Sequence, residues 1–149
     1  MRLSRPPPLT IRNIQRHVFV SIGKVECFAQ TACNLVWQSR RPSSEITRLQ
    51  HVEVSIVSDR RMAALHKKFC GVPGTTDVLT FQHGEIVISA DMAATKARSL
   101  STSVLAEIDL YLLHGLLHLA GFDDTDSRQR KQMLRLQRRL FALARRSGA

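Results

Sequence analysis

The sequence has few cysteines and no long hydrophobic run. Its three cysteines, Cys27, Cys33 and Cys70, include no CxxC pair, which argues against a disulfide framework and a cysteine-rich zinc site and favours a reducing compartment. No stretch reaches the roughly 18 to 20 apolar residues that span a bilayer. The apolar run Val18–Ile22 is too short for a signal-peptide core. We therefore expect a soluble cytoplasmic protein with no membrane partner.

Acidic residues are also scarce. Twelve acidic residues stand against 22 lysines and arginines, which gives a net charge of +10. This excess predicts an anionic partner, with nucleic acid ahead of an anionic membrane surface. A length of 149 residues and a hydrophobic fraction of 44% suit one globular domain. We expect that domain to extend over 1–149, with the proline-containing segment 1–8 disordered.

The hydrophobic pattern predicts an α+β fold. Strict alternation of Val52, Val54 and Ile56 with polar residues is typical of a half-buried strand, and Asp59 after it is expected to cap a helix. The short connection 82–84 indicates that the strands on either side are neighbours. The full predicted order is β-α-β-α-β-β-α-α-α, a single compact domain with a mixed four-stranded sheet flanked by helices.

A pair of histidines is the strongest chemical signal. His114 and His118 lie four residues apart on a predicted helix that ends at Gly121. On a helix they share one face, so their imidazoles can converge as two zinc ligands must. Beyond Gly121 the chain can turn back and bring Asp123 or Asp124 as a third ligand, which leaves the open position of a catalytic zinc site. Because this helix is apolar nearly all round, two unpartnered histidines on it would be costly.

Two neighbouring positions bear on this interpretation. Glu107 precedes His114 by seven residues and so projects on the same side of the helix. It either supports a ligating imidazole or is a solvated acid at the helix start, and the sequence leaves both open. Zinc proteases with the HExxH motif carry a glutamate base directly after the first histidine. Gly115 occupies that position here, so a protease is disfavoured.

The last predicted helix is strongly basic. From Arg128 to the end there are eight basic residues and no acidic ones. A solvated amphipathic helix usually mixes both signs, so we predict a surface that contacts RNA phosphates. No aromatic residue lies on this helix face, which predicts electrostatic contact without base stacking. The predicted RNA-binding residues are Lys131, Arg135, Arg138 and Arg139.

Three segments resemble the YbeY family of bacterial endoribonucleases and rRNA maturation factors. Residues 114–124, HGLLHLAGFDD, resemble the family signature H-G-x-L-H-L-x-G-Y/F-D-H. Residues 76–81, TDVLTF, are similar to its T-D-V-L-S-F strand, and residues 84–89, GEIVIS, to its G-D-I-x-I-S segment. Met133 matches a methionine of its last helix. The resemblance covers about 51–141 and implies a zincin-like fold.

The resemblance implies a metal-dependent, single-strand-specific endoribonuclease. Such an enzyme would act in maturation of the 3′ end of 16S rRNA and in ribosome quality control, with rRNA and ribosomal subunits or precursors as partners and no role for DNA. His114, His118 and Asp124 would hold one Zn²⁺ that polarises the phosphoryl oxygen and acidifies water. Glu107 and Asp123 would support these ligands.

Two departures from the family pattern leave an alternative open. Asp124 replaces the family's third histidine, and a carboxylate also admits other divalent metals. Cys70 replaces an arginine implicated in handling the RNA phosphate, and we expect this cysteine to be a small buried residue. The alternative is therefore a ribosome-assembly or RNA-binding factor that keeps a structural metal and has lost cleavage.

Overall fold

The computed structural model describes residues 4–147, which form an α+β domain. A single 3-10 turn at Glu45–Thr47 precedes the second strand. The strands and helices follow the predicted order, which is confirmed. They are β1 (Leu9–Asn13), α1 (Ile22–Ser39), β2 (Val52–Val57), α2 (Asp59–Cys70), β3 (Val78–Phe81), β4 (Glu85–Ser89), α3 (Ala90–Leu100), α4 (Val104–Leu119) and α5 (Ser127–Ser147).

The four strands form one mixed sheet in the order β1-β2-β4-β3. The strands β1, β2 and β4 are parallel, whereas β3 runs antiparallel to β4. Val78 lies opposite Ile88 and Phe81 lies opposite Glu85, so the short turn between β3 and β4 closes a hairpin, as predicted. This arrangement leaves β3 at one edge of the sheet.

Helix α4 is the centre of the hydrophobic core. Its residues Leu112, Leu113, Leu116 and Leu117 are fully buried, together with the inward residues of α1, α5 and the sheet. Burying a leucine side chain stabilises a fold by about 1.5–3 kcal/mol relative to leaving it in water. A smaller cluster under α2 covers the other face of the sheet. This buried position agrees with the apolar residues that the sequence places nearly all round α4.

Gly115 allows α4 to lie directly against β3 and β4. A Cβ atom at this position would lie 2.9 Å from Cγ2 of Ile86 and 3.0 Å from Oγ1 of Thr80. Contacts this short do not occur without a shift of the neighbouring atoms. The absence of a side chain at Gly115 thus lets α4, which carries His114 and His118, lie close to the edge strand β3.

The start of the described chain differs from expectation. Pro7 is buried, and the carbonyl of Pro8 accepts a hydrogen bond of 2.9 Å from the backbone N–H of Val52. The predicted disorder is therefore wrong for these two prolines, because β2 already binds the chain before β1 begins. The first three residues of the predicted segment 1–8 lie outside the described residues.

Helix α2 also differs locally from the prediction. Ser58, and not Asp59, caps it, with Oγ accepting from the backbone N–H of Arg61 at 3.3 Å. Asp59 instead accepts a 2.6 Å hydrogen bond from Oγ of Ser89, which ties the helix to the end of β4. Cys70, the last residue of α2, is exposed, so its predicted burial is wrong.

No single helix of residues 4–147 is long and apolar enough to cross a membrane. Helices α3 and α4 taken together are long and apolar enough, but the chain bends by 118° between them.

Candidate metal centre

The end of α4 turns the chain back over its own last turn. Gly121 has a left-handed φ of +96°, and its N–H donates to the carbonyl of His118 at 3.0 Å. The N–H of Phe122 donates to the carbonyl of Leu117, also at 3.0 Å. These two bonds form the Schellman motif that glycine favours at helix ends. The reversal carries Phe122 and the following aspartates to the side of α4 that bears the histidines.

Two histidines and one aspartate converge at this reversal. The Nε2 atoms of His114 and His118 lie 3.0 Å apart. Oδ2 of Asp124 lies 3.5 Å from the first and 3.7 Å from the second. All three residues are half-buried and line one cleft of about 620 Å³. The structure thus brings together the three residues that the sequence predicted as ligands.

The outer ring nitrogens of both histidines have fixed partners. Nδ1 of His114 donates to Oε1 of Gln137 at 2.8 Å, and Nδ1 of His118 donates to the carbonyl of Phe122 at 3.1 Å. A neutral imidazole with a proton on Nδ1 has only a lone pair on Nε2. The two facing Nε2 lone pairs repel each other unless a cation lies between them. Burial, followed by the neighbouring His114, lowers the pKa of His118, which favours the neutral form that binds metals.

The donor set fits a divalent metal ion. Tetrahedral zinc with nitrogen and oxygen ligands at about 2.0–2.2 Å places those ligands roughly 3.4 Å apart. The three donor atoms here are separated by 3.0, 3.5 and 3.7 Å. Two imidazoles and one carboxylate also match the ligand types of catalytic zinc sites. The residues present can therefore hold such an ion without rearrangement of the helix.

The cleft carries further carboxylates. Glu45 and Asp77 line it together with Asp123 and Asp124. Oδ1 of Asp123 accepts hydrogen bonds from the backbone N–H groups of Asp124, at 2.7 Å, and Thr125, at 3.2 Å. Asp123 thus shapes the loop that presents Asp124. This concentration of negative charge favours a bound cation and disfavours a phosphate near the cleft when no cation is present.

The role of Gln137 was not predicted from the sequence, and both interpretations of Glu107 are wrong. Glu107 is buried, and its Oε1 accepts a 2.8 Å hydrogen bond from Oγ1 of Thr102. Among the hydrogen bonds of residues 4–147, Glu107 is the partner of neither imidazole, and its burial also excludes the solvated alternative. Gln137 holds His114 instead. Its signal in the sequence is a polar residue within the buried stripe of α5, between Met133 and Leu140.

A basic groove adjoins the metal cleft, as we call the cavity that is lined by His114, His118 and Asp124. We use this name for a cavity of about 470 Å³ lined by Phe122, Gln132, Arg135, Leu136 and Arg139. Because Phe122 lines both cavities, it forms the wall between them. The structure brings two of the predicted RNA-binding residues into the groove, whereas Lys131 and Arg138 are exposed on α5 outside its lining.

The aromatic residue of this groove comes from outside α5. The helix face itself carries no aromatic residue, but Phe122 from the preceding loop supplies one. Arg145, which the helical pattern placed on the basic face, instead forms a 2.8 Å ion pair with the buried Asp109. Arg145 therefore pairs with a carboxylate of α4, and it was not among the predicted RNA-binding residues.

Comparison with known proteins identifies the family. The family model described as Endoribonuclease YbeY matches residues 10–145. The chain belongs to the YbeY family. The match includes β1 and α1, which lie before the three motifs that resemble the family. His114, His118 and Asp124 all lie within the matched residues.

Curated relatives agree with this assignment, and one solved structure shares the fold. A protein called Endoribonuclease YbeY from an Anaeromyxobacter species is 38% identical over 99 residues, covering 60% of this chain and 52% of that protein. The Endoribonuclease YbeY of Thermobifida fusca is 34% identical over 116 residues, covering 66% and 75%. The solution structure of TM1509 from Thermotoga maritima is similar with a TM-score of 0.65, 25% identity and coverage of 91% and 88%. The chain thus spans about half of the first relative and most of the solved structure.

Proposed function

We propose that this YbeY-family chain is a metal-dependent endoribonuclease that cleaves single-stranded RNA. The observation that supports it is the convergence of two Nε2 lone pairs, 3.0 Å apart, and the Asp124 carboxylate in an open cleft. Two imidazoles and a carboxylate suit Zn²⁺, and the carboxylate also admits other divalent ions. We propose one Zn²⁺ per chain, held by His114, His118 and Asp124.

The protein's part in this chemistry is to hold its ligands in place. A bound divalent cation supplies Lewis acidity, which polarises a phosphoryl oxygen and makes water a better nucleophile. His114 and His118 keep their Nε2 lone pairs toward the cleft because Gln137 and the Phe122 carbonyl fix the Nδ1 protons. Asp124 adds a negative charge that a third imidazole would lack, so a metal held by these ligands should be a weaker Lewis acid than one held by three histidines.

The substrate we propose is rRNA in the cytoplasm, within ribosomal subunits or their precursors, including the 3′ end of 16S rRNA. The basic groove supports an RNA partner, because Arg135 and Arg139 line it next to the metal cleft and offer positive charge to RNA phosphates. The carboxylates of the metal cleft repel those phosphates only when no cation is bound. Lys131 and Arg138 extend the positive charge along α5. A role in ribosome quality control belongs to the same proposal.

The first test combines metal content with RNA cleavage. Purified wild type should contain or take up one Zn²⁺ per chain and cut a single-stranded RNA, and a chelator should stop the reaction. His114→Ala should lose both the metal and the cleavage, because it removes one of three ligands. His17→Ala is the matched control, since His17 is exposed and outside the cleft lining, and it should behave as wild type.

The results separate the candidate functions. If wild type takes up no Zn²⁺, the metal assignment is wrong. If wild type binds metal and ribosomal subunits but cleaves no faster than His114→Ala, the chain is an assembly factor with a structural metal. The specific observation behind that second candidate is Cys70, which is exposed at a position where the resemblance to the family implies an arginine.

A further inference from the structure

We infer that Arg41 and Phe122 form a stacking platform for an unpaired RNA base, between the basic groove and the metal cleft. The guanidinium carbon of Arg41 lies 4.7 Å from the centre of the Phe122 ring. The inference rests on the proposed function, because it takes RNA as the ligand. It adds a second kind of contact to the charges of α5 and assigns a role to a residue of the loop between α1 and β2.

Arg41 is held in position from several sides. Its backbone N–H donates to the carbonyl of Ala120 at 2.9 Å, which ties the loop to the end of α4. Its guanidinium donates to Oε1 of Gln132 on α5 at 3.2 Å. Ser44 donates through its hydroxyl to the carbonyl of Arg41 at 2.7 Å. An exposed arginine fixed in this way loses little side-chain freedom when a ligand binds.

The turn that follows α4 leaves space for the side chain of this arginine. A Cβ atom at Gly121 would lie 3.0 Å from Cβ and 3.2 Å from Cδ of Arg41. Gly121 therefore has two roles, because its left-handed φ reverses the chain and its missing side chain makes room for the arginine stem. The same turn that presents the metal ligands also positions the Arg41–Phe122 pair.

The position of the pair relates it to a strand of RNA. Phe122 lines both cavities, so a strand that passes from the groove to the cleft must cross it. Arg135 and Arg139 can take the phosphates on the groove side. Aromatic rings and guanidinium planes are the surfaces on which unstacked bases of single-stranded RNA stack. A base within a duplex has no free face, so this platform selects unpaired RNA beside the metal.

The test measures binding with metal removed, so it does not depend on cleavage. A fluorescein-labelled ten-nucleotide single-stranded RNA is titrated with protein in chelator, and an oligomer of the same length without bases is titrated in parallel. Stacking on one base contributes roughly tenfold or more to affinity. Arg41→Lys keeps the charge and removes the plane, so it should weaken RNA binding about tenfold while leaving the baseless oligomer unaffected.

Arg40→Lys is the matched control. Arg40 also stacks on an aromatic ring, 3.9 Å from the centre of Trp37, but that ring lines neither cavity. It should bind both oligomers as wild type does. Phe122→Leu keeps the apolar wall and should weaken RNA binding as much as Arg41→Lys does. The double variant should lose no more RNA affinity than either single variant.

The outcomes decide the inference separately from the enzyme assignment. The platform is refuted if Arg41→Lys binds the RNA as tightly as wild type, or if it weakens both oligomers equally. An equal loss would assign Arg41 a role as a charge or as a structural residue only. If neither oligomer binds wild type, in chelator or after Zn²⁺ has been restored, RNA is not the ligand of this surface and the inference fails. If RNA binds as described but is never cut, the platform stands and only the catalytic part of the proposed function fails.

Discussion

Replacing Gln137 with leucine gives the sharpest test of the metal centre. Gln137 is buried on α5, and its Oε1 accepts the 2.8 Å hydrogen bond from Nδ1 of His114. In Gln137→Leu the ring N–H of the half-buried His114 loses this acceptor, and an unpaired donor costs up to about 1–3 kcal/mol when it is fully buried and less when water can reach it. The imidazole is then free to turn or to move its proton to Nε2, which blocks metal binding.

The expected loss is in metal affinity. Removing the partner of a ligating histidine typically weakens metal binding about 10–100-fold. The measurement is a Zn²⁺ titration against a chromophoric chelator at fixed pH. Gln137→Glu should bind Zn²⁺ at least as tightly as wild type, because a carboxylate accepts the same hydrogen bond and makes the imidazole a stronger donor to the metal.

The matched control is Gln132→Leu on the same helix. Gln132 is exposed and its Oε1 accepts from Arg41, not from a histidine, so Zn²⁺ affinity should be unchanged. Thermal unfolding of the metal-free proteins checks that each variant is folded. Equal Zn²⁺ affinities for wild type and Gln137→Leu would refute the reasoning, because the hydrogen bond would then have no part in presenting Nε2.

Two further predictions concern stability. Gly115→Ala should destabilise the fold, because overpacking against Ile86 and Thr80 costs about 1–3 kcal/mol and the gain in helix propensity is only about 1 kcal/mol. Urea unfolding measures the difference in stability. An unchanged midpoint would contradict the close approach of α4 to the sheet. Burial raises the pKa of Asp109 from 3.8 to about 7, against the opposing effect of Arg145. Since the folded state holds this proton more tightly, Asp109 destabilises the fold increasingly as the pH rises from about 4 to 7, by about 4 kcal/mol in full. Asp109→Asn should therefore be more stable than wild type at pH 8 but not at pH 4, and a pH-independent difference in unfolding free energy would contradict this.

Much of the fold could be read from local patterns. Alternation along Val52–Val57 and the apolar sides of the helices predicted the element order, because side-chain period follows directly from backbone geometry. The four-residue spacing of His114 and His118 required their convergence once α4 formed. The turn at Gly121 was equally local, since a glycine after an apolar helix favours the left-handed reversal.

Tertiary packing decided which residues complete the site. Gln137 reaches His114 from 23 positions away along the chain, and Arg41 meets Gln132 across 91 positions, so no periodicity relates them. Glu107 shows the same limit, because its spacing from His114 suggested a supporting role, whereas the folded chain pairs its buried carboxylate with Thr102. Spacing along one helix thus determined the two metal-facing imidazoles of this chain. Their orientation and the surface beside them depend on how α5 and the α1–β2 loop pack against α4, because side chains distant in the sequence can form a hydrogen bond only where packing brings their donor and acceptor atoms together.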